Sequence, residues 1–276
     1  MSLLWSIVGL VAIDAVTITA MLLVRRRAPE GSYFSDGDRA SGVFGVLAGA
    51  FALFAGFIVF LAFTTYDQSR SGGETEALTL VQQFETAEFL PQAVHERLTG
   101  ELACYGRTVV QQEWPQMAHG SGGDTINPWA IALFRSVKLA KPVSATEQAA
   151  YGKWLDQTSD REQARSDRLH GAEGIVPASI WLVLLLIAGV VFVYMLFFAD
   201  SGERARSQAM LMGSTTTVIV LTLTAISALN NPYRHAPGRI TPVAMERSLR
   251  IMDRERAVVH ENAPLPCDAR GARVRS

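Results

Sequence analysis

Four apolar blocks, residues 3–24, 43–66, 175–198 and 209–229, constrain this chain more than any other feature. Each is about 20 residues long, enough as a helix to cross a hydrocarbon core of roughly 30 Å. The 276 residues are 49% hydrophobic, a total that a soluble protein could carry; the clustering is what decides. In lipid every backbone N–H and C=O must be satisfied within its own segment, so blocks of this kind are helices. The expected fold class is all-α, an integral membrane protein with four transmembrane helices and a helical extramembrane domain between helices two and three. Its divisions are 1–66, a first transmembrane pair; 67–174, the helical domain; 175–230, a second pair; and 231–276, an amphipathic helix and tail. The first block is too long for the apolar core of a signal peptide, and its arginines follow it instead of preceding it. It reads as a retained helix.

The second block has two faces. Gly42, Gly45, Gly49, Ala52 and Gly56 recur at spacings of 3, 4, 3 and 4, which puts them in one line on a helix. Phe44, Leu47, Phe51, Phe54, Ile58 and Leu61 fall on the other side. Lipid tails do not distinguish these faces, but small residues let another backbone approach closely, so the glycine line is expected to meet protein. Past Gly56 the same line continues with Phe60 and Phe63. Phe54, Ile58, Phe60 and Phe63 are therefore candidates for an apolar constriction, and residues 42–56 on the small line are candidates for helix packing.

Polar residues inside the other spans narrow the search further. Asp14 lies near the middle of span one, where a carboxylate costs roughly 2.5 to 3.5 kcal/mol to insert. Such a group is either functional or hydrogen-bonded to a neighbouring helix, and Thr17 shares its face. In span four, Ser214, Thr217, Leu221, Thr224 and Ala228 make a hydroxyl-bearing face, which either packs against other helices or lines a wet path. Thr217 and Thr224 are its pore candidates.

The polar region 67–174 carries 15 acidic and 10 basic side chains, yet it is patterned. Ala77, Leu80, Val81, Phe84 and Ala87 form one helical stripe, and Val94, Leu98, Leu102, Tyr105 and Val109 form a second after Pro91. A break falls at 119–125, a short helix at 129–138, and Ser144 with Glu147 makes a capping box that opens another helix. Trp114, Trp129 and Trp154 are either core residues or anchors for a protein partner. A further amphipathic helix is expected at 240–259, with a frayed end from Asn262.

The net charge of −1 and the lack of a concentrated basic face argue against nucleic acid. His95, His119, His170, His235 and His260 show no metal-ligand spacing. No phosphate-binding glycine loop or nucleophile setting is present, so neither an enzyme nor a cofactor is expected. Cys104 and Cys267 lie outside the spans and on one side of the membrane. Two free thiols are the expectation, with a disulfide requiring an oxidising compartment on that side.

Several local signatures carry a family likeness: the glycine-rich second span ending in Tyr66 and Asp67; Glu113-Trp114-Pro115 with its flanking Gln112, Gln116 and Met117; Pro177 with Trp181; Gln208 with Met210; and Asn231-Pro232-Tyr233, followed by Pro242. With these the chain resembles the bestrophin-like family of bacterial membrane proteins over roughly residues 40–255. An acidic residue is expected before Pro232, where this chain has Asn231. Bestrophins are pentameric anion channels with four spans, a cytoplasmic helical region between spans two and three, and an apolar neck on span two. The resemblance implies a homo-oligomer among membrane lipids, passing an anion such as chloride, with span two at the pore. The alternative is a non-conducting scaffold or accessory subunit whose helical domain docks a protein. Positive charges divide nearly evenly between the two sides of the spans. The resemblance therefore sets the expected placement: a bacterial inner membrane, multi-pass, with the long loop and C-terminus in the cytoplasm.

Overall fold

The computed structural model describes residues 3–121, 126–235, 238–258 and 264–274. Among them are α1 (Leu3–Arg25), α2 (Gly37–Ala87), α3 (Gln92–Thr108), a π-helical turn (Val109–Glu113), α4 (Trp114–Ala118), α5 (Pro128–Val137), α6 (Ala145–His170), α7 (Ala178–Phe197), α8 (Ala205–Asn230) and α9 (Val243–Val258). Among the described residues there is no strand, and Cys267 and Arg273 form an isolated antiparallel bridge. The chain divides into two compact units. One comprises Met1–Thr64, Gly174–Asn230 and His235–Pro237; the other comprises Thr65–Glu173, Asn231–Arg234 and Gly238–Ser276.

The first unit holds α1, the start of α2, α7 and α8, four helices long and apolar enough to cross a membrane. Its core joins Phe51, Ala55 and Ile58 of α2 to Leu184, Ala188 and Val191 of α7 and Ile219 and Ile226 of α8. Along α1 and α8, Gly213 leaves room for Ile18, whose Cδ1 would lie 3.2 Å from a Cβ placed there. The two short connectors are laced together. Arg25 donates to the carbonyls of Ser201 and Glu203, and Asp200 Oδ1 accepts from Gly31 N at 3.0 Å and Gly202 N at 2.7 Å. Those backbone donors hold the Asp200 carboxyl below its usual range. Asp36 caps α2 through Arg39 N at 3.0 Å.

The second unit is helical throughout its described elements. Both expected stripes are buried, from Ala77 to Ala87 on α2 and from Val94 to Val109 beyond Pro91. They pack with Leu133 of α5, Trp154 of α6 and Met252 of α9. The first stripe belongs to the same helix as span two, because α2 runs unbroken for 51 residues. Gly72 and Gly73, which would weaken an isolated helix, are needed where α6 crosses: a Cβ on Gly72 would lie 2.6 Å from Arg168 N. Ser144 and Glu147 make the expected capping box at α6, and Asn127 caps α5 by accepting from Trp129 N.

Two expectations are corrected. Cys104 and Cys267 are joined in a disulfide, not free. The segment from Pro264 to Val274 is therefore pinned to α3 instead of frayed. Of the two readings left open for Trp114, Trp129 and Trp154, burial of all three decides for core residues, which offer no surface anchor. Residues 122–125 of the expected break, together with Val259, His260 and Asn262, lie outside the described residues.

Candidate functional site

Within this chain, helix α2 buries its bulky side and leaves its small side uncovered. The bulky side, with Phe44, Leu47 and Phe54 around buried Phe51 and Ile58, packs into the first unit's core. The small side is uncovered: a Cβ added at Gly42, Gly45, Gly49 or Gly56 would meet nothing within 4 Å, and Ala52 is exposed. Burial follows side-chain area, and the aromatic side has more of it to offer α7 and α8. Phe60 and Phe63 continue the small line and are 61% and 54% exposed, whereas Ile58 is 5% exposed. No charged residue occurs between 43 and 66.

Asp14 has its partner on α8. Thr217 Oγ1 donates to Asp14 Oδ2 at 2.9 Å, and one turn along, the hydroxyls of Thr17 and Thr216 are 3.1 Å apart. These pairs fasten α1 to α8 as interhelical hydrogen bonds do in lipid. Thr224 is exposed, and its hydroxyl is taken up by the Val220 carbonyl one turn back. Thr217 and Thr224 are thus in different settings.

In the second unit, Glu113-Trp114-Pro115 and Asn231-Pro232-Tyr233 are brought together. Pro115 has no N–H to give Gln111, and the ladder widens just before it: Trp114 N donates to the Val109 carbonyl, five residues back. The π turn delivers Glu113 into a buried cluster. Its Oε2 accepts from Arg165 Nη1 at 2.6 Å and Arg168 Nη2 at 2.7 Å, and its Oε1 accepts from Asn127 Nδ2 at 2.9 Å. Arg168 also donates to both oxygens of Glu76, and Tyr105 donates to Glu76 Oε1 at 2.6 Å. Above it, Trp114 meets Tyr233 edge to face with ring centroids 5.8 Å apart, and Tyr233 donates to the Arg168 carbonyl at 2.6 Å. Asn231 accepts from Arg234 N through its own carbonyl.

The electrostatics of this cluster are compensated. Burial pushes Glu113 up, but Arg168 and Arg165 outweigh it and hold the carboxyl below its usual range. Burial works against the charge on Arg168, yet Glu76 and Glu113 hold it above its usual value. Burial, with Glu76 adding to it, pushes Tyr105 well up, and burial raises Tyr233. Such a cluster can cross-link α2, the π turn and α6. Among the described residues no three His, Cys, Asp or Glu side chains converge as metal ligands.

Glu76, Asn127, Arg165 and Arg168 were not singled out as site residues by the sequence pattern. The signal was present: Glu76 falls on the line of Ser69, Gly73, Leu80 and Gln83, and Arg161, Arg165 and Arg168 follow Trp154 along one face of α6. Read as charges beside a span, those arginines pointed to topology instead.

The chain matches the Bestrophin-like domain over residues 10–237. Among solved structures, a single-site variant of a bacterial bestrophin homologue from Klebsiella pneumoniae aligns at 14% identity and TM-score 0.67, covering 88% of this chain and 98% of that one. A second variant of that homologue aligns at 12% identity and TM-score 0.66 over the same shares. A structure described as a membrane protein aligns at 15% identity and TM-score 0.64, again covering 88% and 98%. At these identities the likeness is one of fold. No curated protein matches significantly. With the family domain spanning most of its length and the four spans in place, the chain belongs to the bestrophin-like family.

Proposed function

We propose that this protein assembles as a homo-oligomer about the small face of α2 and conducts anions, such as chloride, along the axis so formed, in the inner membrane of a bacterium. The observation that carries the reading is the uncovered glycine line of α2 ending in exposed Phe60 and Phe63. The glycines of this line meet nothing within 4 Å in their own chain, and glycines allow a neighbouring backbone to come close. The two phenylalanines supply an apolar ring that closes by dewetting. The stretch carries no acidic side chain to hold a cation, and bestrophins pass anions. Ile58 and Phe54, turned toward α7 and α8, are left to packing.

Anion flux into liposomes from purified protein tests this. Replacing Phe60 and Phe63 with alanine is expected to raise flux several-fold; unchanged flux removes the pair from the gate. A well-folded oligomer that passes no anion overturns the channel reading in favour of a scaffold, a reading that now lacks its tryptophan anchors.

A further inference from the structure

The disulfide between Cys104 and Cys267 closes across 163 positions of sequence, and the segment that carries Cys267 is built onto its surroundings. Trp129 Nε1 donates to the Gly271 carbonyl at 2.7 Å, and Gln112 Nε2 donates to the Arg270 carbonyl at 2.9 Å. The Arg273 guanidinium lies 5.1 Å from the centre of the Trp129 ring. Gly271 turns at φ +78°, and a Cβ there would lie 2.6 Å from Thr108 N. This strap lies beyond residue 237, where the family match ends.

We infer that the helical unit and the C-terminal strap face the oxidising, extracytoplasmic side of the membrane, leaving the two short connectors in the cytoplasm. This is the opposite of the placement that the bestrophin likeness leads one to expect. Cytosolic thiol pools keep such pairs reduced, whereas disulfides persist outside. Forming the bond takes two protons and two electrons from the two thiols; the electrons pass by thiol–disulfide exchange to an oxidised dithiol protein of that compartment, which leaves as the dithiol.

The arginines do not oppose this placement. The positive-inside bias is counted over short loops, since long ones cross largely regardless of charge. Arg25, Arg26, Arg27, Arg39, Arg204 and Arg206 flank the short connectors. Opposite them, Arg161, Arg165 and Arg168 belong to the long loop, and they are buried against Gln83, Glu113 and Glu76. Within about 20 residues of the span ends, that leaves exposed Arg70 after span two and Arg234, Arg239, Arg247 and Arg250 after span four, five against six.

Two measurements on the protein in a bacterial host test this without disturbing the bond. Acid-quenched, denatured protein is alkylated before and after reduction: modification of both cysteines only after reduction is expected, and modification without reduction overturns the inference. Separately, Lys153→Cys on α6 and Ser35→Cys in the first connector, both exposed positions, are exposed to a membrane-impermeant maleimide in intact spheroplasts. The native pair stays buried in the background. Labelling of Lys153→Cys in intact spheroplasts, and of Ser35→Cys only after lysis, supports the placement. The reverse pattern, or labelling of both before lysis, overturns it. Neither readout depends on conduction.

Discussion

Arg168 is fully buried and bonded to two carboxylates on different elements, Glu76 of α2 and Glu113 of the π turn. Removing one partner of a buried pair leaves charge without compensation, at about 3–5 kcal/mol. Arg168→Met is therefore expected to lower the unfolding temperature of the detergent-solubilised protein sharply, while an exposed arginine such as Arg204 changed to methionine leaves it nearly unmoved. Glu113 adds a pH dependence whose sign is fixed by its lowered folded value. Its contribution is full above the unfolded value of about 4.3 and is lost as pH falls through the lower, folded one. Stability is expected to hold at neutral pH and to drop below about pH 4. Glu113→Gln should be less stable at neutrality and show a shallower acid loss in the same melting series.

Among elements, the stretches with a strong period were legible. The stripes on α2 and α3, the capping box of α6 and the apolar length of the four spans all follow from side-chain spacing, which local geometry enforces. What spacing could not convey was partner choice. The two faces of α2 were visible, but which one α7 and α8 would bury depends on packing between segments more than a hundred residues apart. The strap around Gly271 is likewise long-range: Thr108 and Trp129 are its partners, and no local pattern near Gly271 names them. Closing so long a loop constrains the unfolded chain, and losing a native disulfide of this kind costs about 2–5 kcal/mol. Cys267→Ser is expected to be less stable than the parent by that margin and so to melt lower, and added reductant should lower the parent's melting toward the variant's. Equal melting of the two would mean that the strap's hydrogen bonds hold it without the bond.

At the scale of the whole molecule, the uncovered line of α2 distinguishes a chain complete by itself from one built to meet copies of itself. Within one chain the glycines at 45 and 49 make no packing contact that a side chain would disturb. Replacing them with leucine also removes two helix-weakening residues, worth about 0.8 kcal/mol each. Gly45→Leu with Gly49→Leu should therefore leave the single chain's fold intact, as read by helix content and by the persistence of the Cys104–Cys267 bond. In the proposed assembly the same change is severe between chains, because two leucines would stand where a neighbouring backbone approaches. Light scattering in mild detergent is expected to give an oligomer for the parent and a smaller, folded species for the double variant, with anion flux lost in liposomes. An oligomer of unchanged mass would place the interface elsewhere and leave the glycine line to lipid; loss of helix content would mean that the line is needed within the chain itself.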